Sequence, residues 1–305
     1  MSLFKCLLVA SLLSQAAPAA LGEAHCPGNV ASLTLRLVQG TLIVVAVEAN
    51  HSGPYDFLVD TGAQVSTIDV SLATELHLKP QSAVGVEGAA TFSRRAAVSI
   101  DNLAAGDHTA VNSLAVVEDL AQLRAVDPRI RGILGGNFLQ HFDMLIDNGH
   151  RFLCLDDSGA LTAEVKGERI KLAEPYGTEK DLPFTRPIVF PARLSSLGKT
   201  PVLLRLDSGT NAPMLYANNA SLHLVAANPS RVLKRTVSGL EQRFAVLRPQ
   251  DVAIGKSALR QVSFTVPMNA IGNGRAQRED GLLPTIAYRR VFISCSGGFV
   301  SLDPW

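Results

Sequence analysis

The chain has 305 residues, of which 47% are hydrophobic and 18% charged, with a formal net charge of +1. That length holds one large domain or two lobes of about 150 residues each. The near-zero charge excludes the electropositive footprint that nucleic acid or an anionic membrane demands. Glycine and proline are spread out rather than concentrated, which excludes a disordered chain.

The first 24 residues contain one lysine, an apolar run over Cys6–Leu13, and then small residues around Ala17–Ala19 and Gly22–Ala24. This is the pattern of a secretory signal peptide cleaved near Ala19 or Ala24. An uncleaved anchor is the alternative, but the run is shorter than the ~20 residues a membrane span needs. The expectation is an exported protein with no stable membrane anchor once residues 1–24 are removed. Cys6 leaves with that segment. Cys26, Cys154 and Cys295 remain, so at most one disulfide forms within the chain, and their spacing matches no zinc pattern.

Short apolar segments bounded by Gly, Pro, Asn or Asp follow one another: LTLRLV, TLIVVAVEA, YDFLVD, AAVSIDNL, RFLCLD, RPIVF, PVLLRLD, QVSFTV and GFVSLD. These are strand signals. Helical periodicity is confined to 71–78, 117–126 and 217–226. The fold class is therefore mostly β.

The segments also repeat. VDTGA at 59–63 returns as LDSGT at 206–210, TELHL at 74–78 as ASLHL at 220–224, and VEGAATF at 86–92 as VSGLEQRF at 237–244. RGILGGNFL at 131–139 returns as DGLLPTIAY at 280–288. Gly132 lies 72 residues after Asp60, and Gly281 lies 74 after Asp207. Ordered features at matching spacing make the mature chain two copies of one β unit. The expected organisation is a first lobe over 25–165 and a second over 166–305.

An aspartate at the end of an apolar strand is a poor strand residue and is costly to bury alone. A single D-[ST]-G is weak evidence, because Asx turns at strand ends look the same. Two copies in a duplicated unit change this, because a pseudo-twofold axis brings equivalent residues together. Two carboxylates sharing one site cannot both ionise easily, so one holds a proton and the other does not. Such a pair can activate a water and protonate a leaving group.

With VDTGA and LDSGT, each followed by a Gly-apolar-apolar segment (GILG, GLLP), the sequence resembles the pepsin and retropepsin aspartic peptidases. The resemblance spans nearly the whole mature chain. It implies a bilobal, pepsin-like acid-protease fold built from two duplicated retropepsin-like β units, acting as an aspartic endopeptidase on polypeptide substrates. No cofactor and no metal are implied, and the intrachain pseudo-dimer implies a monomer. By position, Asp60 and Asp207 are the catalytic carboxylates. Gly62 and Gly209 allow a tight turn with N–H groups facing the carboxylates, and Thr61 and Ser208 bond across the lobes. Thr210 donates to Asp207, whereas its counterpart Ala63 cannot donate from a side chain. On that asymmetry Asp207 carries more of the negative charge and Asp60 more of the proton, and the optimum is less acidic than with hydroxyls in both lobes.

A hairpin over 86–95, with Gly88 and Phe92, is the expected flap, and the Gly239 region the expected second flap. Pro284, which stands where a Gly is expected, is read as a variation outside the acid pair. Gly255-Lys256-Ser257 lacks the glycine that a phosphate loop places five residues earlier, where Gln250 stands. His77 and His223 fall at equivalent positions, where helix packing accounts for both. Two further readings stay open: a non-catalytic peptide-binding or inhibitor protein on the same fold, and halves that pair between molecules.

Overall fold

The computed structural model describes residues 25–87, 92–174, 186–216, 222, 228–237, 240–268 and 279–305. The signal-like segment, Gly88, Gly239, His223 and most of the 217–226 helix lie outside them. Phe92 opens the strand Phe92–Ala105, but its side chain lies outside the description.

Three sheets account for most of the described chain. The first-lobe sheet runs Arg36–Val38, Leu42–Ala49, Ser52–Val59, Ile130–Leu134, Ser66–Asp69, His108–Glu118, Phe92–Ala105 and Ser82–Glu87 from edge to edge. At its centre Ser52–Val59 lies parallel to Ile130–Leu134, which is antiparallel to Ser66–Asp69, which is parallel to His108–Glu118. The second-lobe sheet repeats these senses. Pro201–Asp207 is parallel to Gly281–Pro284, which is antiparallel to Met214–Leu215, which is parallel to Thr265–Pro267. The duplication legible in the sequence is thus a duplication of ladder topology. Strands covered on both faces read as continuous apolar runs, as FLV does before Asp60, whereas LLRL before Asp207 carries one charge, Arg205.

The third sheet joins the lobes. Asp143–Asp147 of the first half pairs antiparallel with Arg290–Ser294 of the second, flanked by Phe152–Asp156 and Phe299–Asp303. Ser32–Thr34 and Ile170–Lys171 close its two edges. Its apolar faces, with Met144, Ile146, Val291 and Ile293, belong to one buried cluster that also contains Phe57 and Val59 below the first aspartate and Leu204 and Leu206 below the second. One continuous core therefore fixes the lobes against each other.

Local chemistry explains where elements differ from the periodicity. Over 117–126 the apolar residues of VVED serve a strand that extends to Glu118, and the helix starts only at Ala121–Val126. Asp69 is buried beneath this corner and caps the helix Val70–Glu75 by accepting from Ser71 N–H at 2.9 Å. It also accepts from Leu120 N–H at 3.0 Å and pairs with Arg124. His77 does not pack a helix. It is exposed just past Val70–Glu75 with φ 54°, so it turns the chain. Of the three remaining cysteines, Cys26 and Cys154 form a disulfide across 128 residues and Cys295 is free. Burial and the nearby Asp143 carboxylate push the Cys295 thiol up to about 12, with Arg186 opposing them, so it is a poor nucleophile.

Candidate active site

Each aspartate sits where a central strand leaves its sheet. Asp60 follows Ser52–Val59, and its N–H still donates to Leu134 O at 3.0 Å, as the ladder continues. The chain then turns, and the Asp60 carboxylate folds back onto the turn. Its Oδ1 accepts from Gly62 N–H at 2.8 Å and from Ala63 N–H at 3.0 Å. Asp207 ends Pro201–Asp207, and its Oδ1 accepts from Gly209 N–H at 2.8 Å. These are Asx turns, the local structure an Asp-x-Gly sequence favours.

The two turns meet face to face. The carboxyl groups of Asp60 and Asp207 are brought together at this junction, close enough that each shifts the titration of the other. Gly62 lies against the Asp207 carboxylate and Gly209 against that of Asp60. A Cβ on Gly62 would stand 2.5 Å from Asp207 Oδ2, and one on Gly209 closer still to Asp60. Glycine is required here for space rather than for an unusual φ. Beneath the pair a symmetrical lock crosses between lobes. Thr61 Oγ1 donates to Leu206 O at 2.9 Å and Ser208 Oγ to Val59 O at 2.7 Å. Thr61 N–H donates to Ser208 Oγ and Ser208 N–H to Thr61 Oγ1, each at 3.1 Å. All of these groups are buried.

A hydroxyl at either lock position therefore serves two buried bonds. Ser208→Ala removes one donor and one acceptor and leaves Val59 O and Thr61 N–H unsatisfied. A cost of about 2–4 kcal/mol is expected, read as a fall in Tm of roughly 5–15 °C.

Two expectations about electrostatics are corrected. Thr210 does not donate to Asp207. Its hydroxyl donates to Ala212 O at 3.1 Å, two residues on in the same turn. The proton is also placed the other way round. Asp60 accepts two backbone N–H bonds and Asp207 one, so the fixed donors favour charge on Asp60. Burial raises both carboxyls, and the charge of Asp60 adds to the rise at Asp207, which is pushed to about 8. Of the two, Asp207 is the one pushed further towards the protonated form. The asymmetry at residues 63 and 210 acts through the backbone: the Ala63 N–H is a donor that no side chain needs to supply.

Pro284 is not remote from the pair. It is the ladder partner of Asp207. In the first half the corresponding place is taken by Gly135, which opens a short helix, Gly136–Leu139. That helix clasps the first dyad turn, with Gly136 N–H on Ala63 O at 2.8 Å and Asn137 N–H on Gln64 O at 2.9 Å. The Asn137 side chain accepts from Ser66 N–H at 2.7 Å. This clasp was not legible as a motif, and neither was Arg205, whose guanidinium donates to Gly62 O at 2.9 Å and pairs with Glu279. The signal for Arg205 was present: its counterpart two residues before Asp60 is Leu58. Among the described residues no group of three or more His, Cys, Asp or Glu side chains is arranged to hold a metal ion.

An aspartic proteinase from Irpex lacteus superposes with a TM-score of 0.51 over 90% of this chain and 97% of its own, at 12% sequence identity. The chain has the pepsin-like fold. The aspartyl protease family profile matches residues 45–138, which hold the first D-T-G. A retropepsin-like aspartic protease from Rickettsia conorii aligns over 42% of this chain and 91% of its own, with TM-score 0.31 and 18% identity. No curated protein matches the chain in sequence. Within this fold both aspartate turns lie where the two halves bond to each other.

Proposed function

We propose that the protein is an exported aspartic endopeptidase that hydrolyses peptide bonds with a water activated between Asp60 and Asp207. One observation carries this reading: two carboxyl groups, contributed by equivalent strand ends of the two halves, are brought face to face over a cross-lobe lock. The aspartyl protease profile and the pepsin-like fold support it.

The roles follow from the asymmetry. Asp60, ionised, takes a proton from the water as its oxygen attacks the scissile carbonyl carbon. Asp207, protonated, gives its proton to the carbonyl oxygen, so a neutral gem-diol forms without a covalent enzyme intermediate. Collapse of the diol breaks the C–N bond as the amine takes the proton held by Asp60 and a diol hydroxyl gives its proton to Asp207, leaving a carboxylic acid and an amine. The pair ends with one proton, as it began.

Activity on this scheme needs one proton on the pair. It is lost as pH rises through the raised Asp207 value of about 8 and as pH falls far enough to protonate Asp60, whose value is also raised by burial. The optimum is expected above pH ~4, the ordinary carboxylate range, with activity persisting towards neutrality. The disulfide supports an oxidising compartment and hence export. Among the described residues no helix is long and apolar enough to cross a membrane.

The test is digestion of unfolded protein substrates from acid to neutral pH by chain beginning at residue 25, with and without pepstatin. Pepstatin-sensitive cleavage that resists chelators and serine- and cysteine-directed reagents is the expected result. Stoichiometric peptide binding without cleavage would instead favour a binding protein.

A further inference from the structure

Leu58 stands two residues before Asp60 and Ile130 two before Gly132, and both belong to one apolar cluster with Val38, Leu42 and Val44. The second half places Arg205 two before Asp207 and Glu279 two before Gly281. The ladders align at Phe57 with Gly132 and at Leu204 with Gly281, both in parallel, and a bulge between Asp56 and Phe57 then sets Ile130 opposite Asp56. A packed apolar pair in one lobe is therefore an ion pair in the other. Arg205 Nη2 lies 2.5 Å from Glu279 Oε1, with the two side chains 20% and 5% exposed.

Withdrawing two charges from water costs more than their attraction readily returns, and an apolar pair of similar volume stabilises a fold as well or better. Packing alone therefore does not account for the exchange. The ion pair supplies something Leu58 and Ile130 cannot, namely a second arm. Arg205 Nη1 crosses the lobe boundary to donate to Gly62 O at 2.9 Å. Gly62 is the residue whose N–H holds Oδ1 of Asp60.

The geometry points to Arg205 as a positioning residue: anchored by Glu279, it clamps the first-lobe aspartate turn from the second lobe and keeps a fixed positive charge behind the acid pair. A planar guanidinium is suited to this, because its fork serves two acceptors at once. Its charge favours the ionised form of both aspartates, against the push of burial. Glu279 offsets part of that charge, and the carboxylate of the neighbouring Asp280 accepts from Leu203 N–H at 2.8 Å.

The inference rests on Asp60 and Asp207 being the catalytic pair, so the test reads it in two ways. The double variant Arg205→Leu/Glu279→Ile installs the first lobe's apolar pair, and Arg205→Lys keeps charge without the fork. In the double variant Tm should stay within about 5 °C of wild type, while kcat on a peptide substrate falls at least about tenfold with little change in KM. Both limbs of its pH–rate profile should move to higher pH. Arg205→Lys should lose kcat but leave the limbs in place. Wild-type kcat with unmoved limbs in the double variant would overturn the proposal, as would a double variant that does not fold alongside a fully active Arg205→Lys. If the wild type cleaves nothing, the catalytic reading fails by itself. Arg205 is then judged on Tm against pH: a larger fall from about pH 5 to 9 in Arg205→Lys/Glu279→Gln than in Glu279→Gln alone overturns the charge role, and a larger fall in Arg205→Leu/Glu279→Ile than in wild type supports it.

Discussion

Asp207→Asn is expected to abolish cleavage while making the fold more stable at neutral pH. Asp207 carries the proton that the scheme delivers to the substrate oxygen, and an amide cannot deliver it. The rate should fall at least about a thousandfold, the upper part of what one acid–base group contributes. Stability moves the other way because Asp207 is held protonated by burial and by the charge of Asp60. In the unfolded chain it ionises near pH ~3.9. Between that value and the folded value of about 8, the unfolded state releases a proton that the native state keeps. Each pH unit in this window therefore costs the native state about 1.4 kcal/mol. Below the unfolded value the cost vanishes. Asparagine removes the titration and still offers Asp60 an N–H donor. Thermal melts should show wild-type Tm falling from about pH 4 to 8, a flatter curve for Asp207→Asn, and a gain of several degrees at pH ~7. Parallel curves would show that the pair keeps no extra proton in the native state, and the shared-proton reading would be wrong.

Gly209→Ala is expected to damage the site from the other side. Its Cβ would overlap the Asp60 carboxylate. That carboxylate cannot yield, since Gly62 N–H, Ala63 N–H and Asp207 all hold it. The lobes must separate at the acid pair by about an ångström, the scale of misplacement that costs roughly a hundredfold in rate. Overpacking of this kind costs about 1–3 kcal/mol. Gly62→Ala, against Asp207, should behave alike. Kinetics and melts of both variants read this directly. Full activity in either would mean that the two turns do not abut in the working protein.

The repeated D-[ST]-G, the glycines beside it and the ladder-forming runs were legible in the sequence because each encodes a local backbone demand, written twice. What escaped depends on choices among acceptors or on distant partners. Thr210 can reach either Asp207 or Ala212, and the turn decides for Ala212. The proton's place follows from how many backbone N–H groups converge on each carboxylate, a count that residue types do not give. Arg205 within VLLRLD reads as a solvent-facing alternation until Glu279 is brought beside it. Three cysteines allow several pairings, and only the approach of the N-terminal strand Ser32–Thr34 to Phe152–Asp156 selects Cys26 with Cys154. The VVED segment had enough helical periodicity to mislead, but pairing of His108–Glu118 within the sheet overrides it.

The central claim is that Asp60 and Asp207 act as one acid pair sharing a proton. It is tested most directly by kcat/KM for peptide cleavage across pH in wild type, Asp60→Asn and Asp207→Asn. The account predicts a bell-shaped profile for the wild type, with its optimum above the ordinary carboxylate range, and loss of essentially all cleavage in both variants. Cleavage that survives either substitution would contradict it.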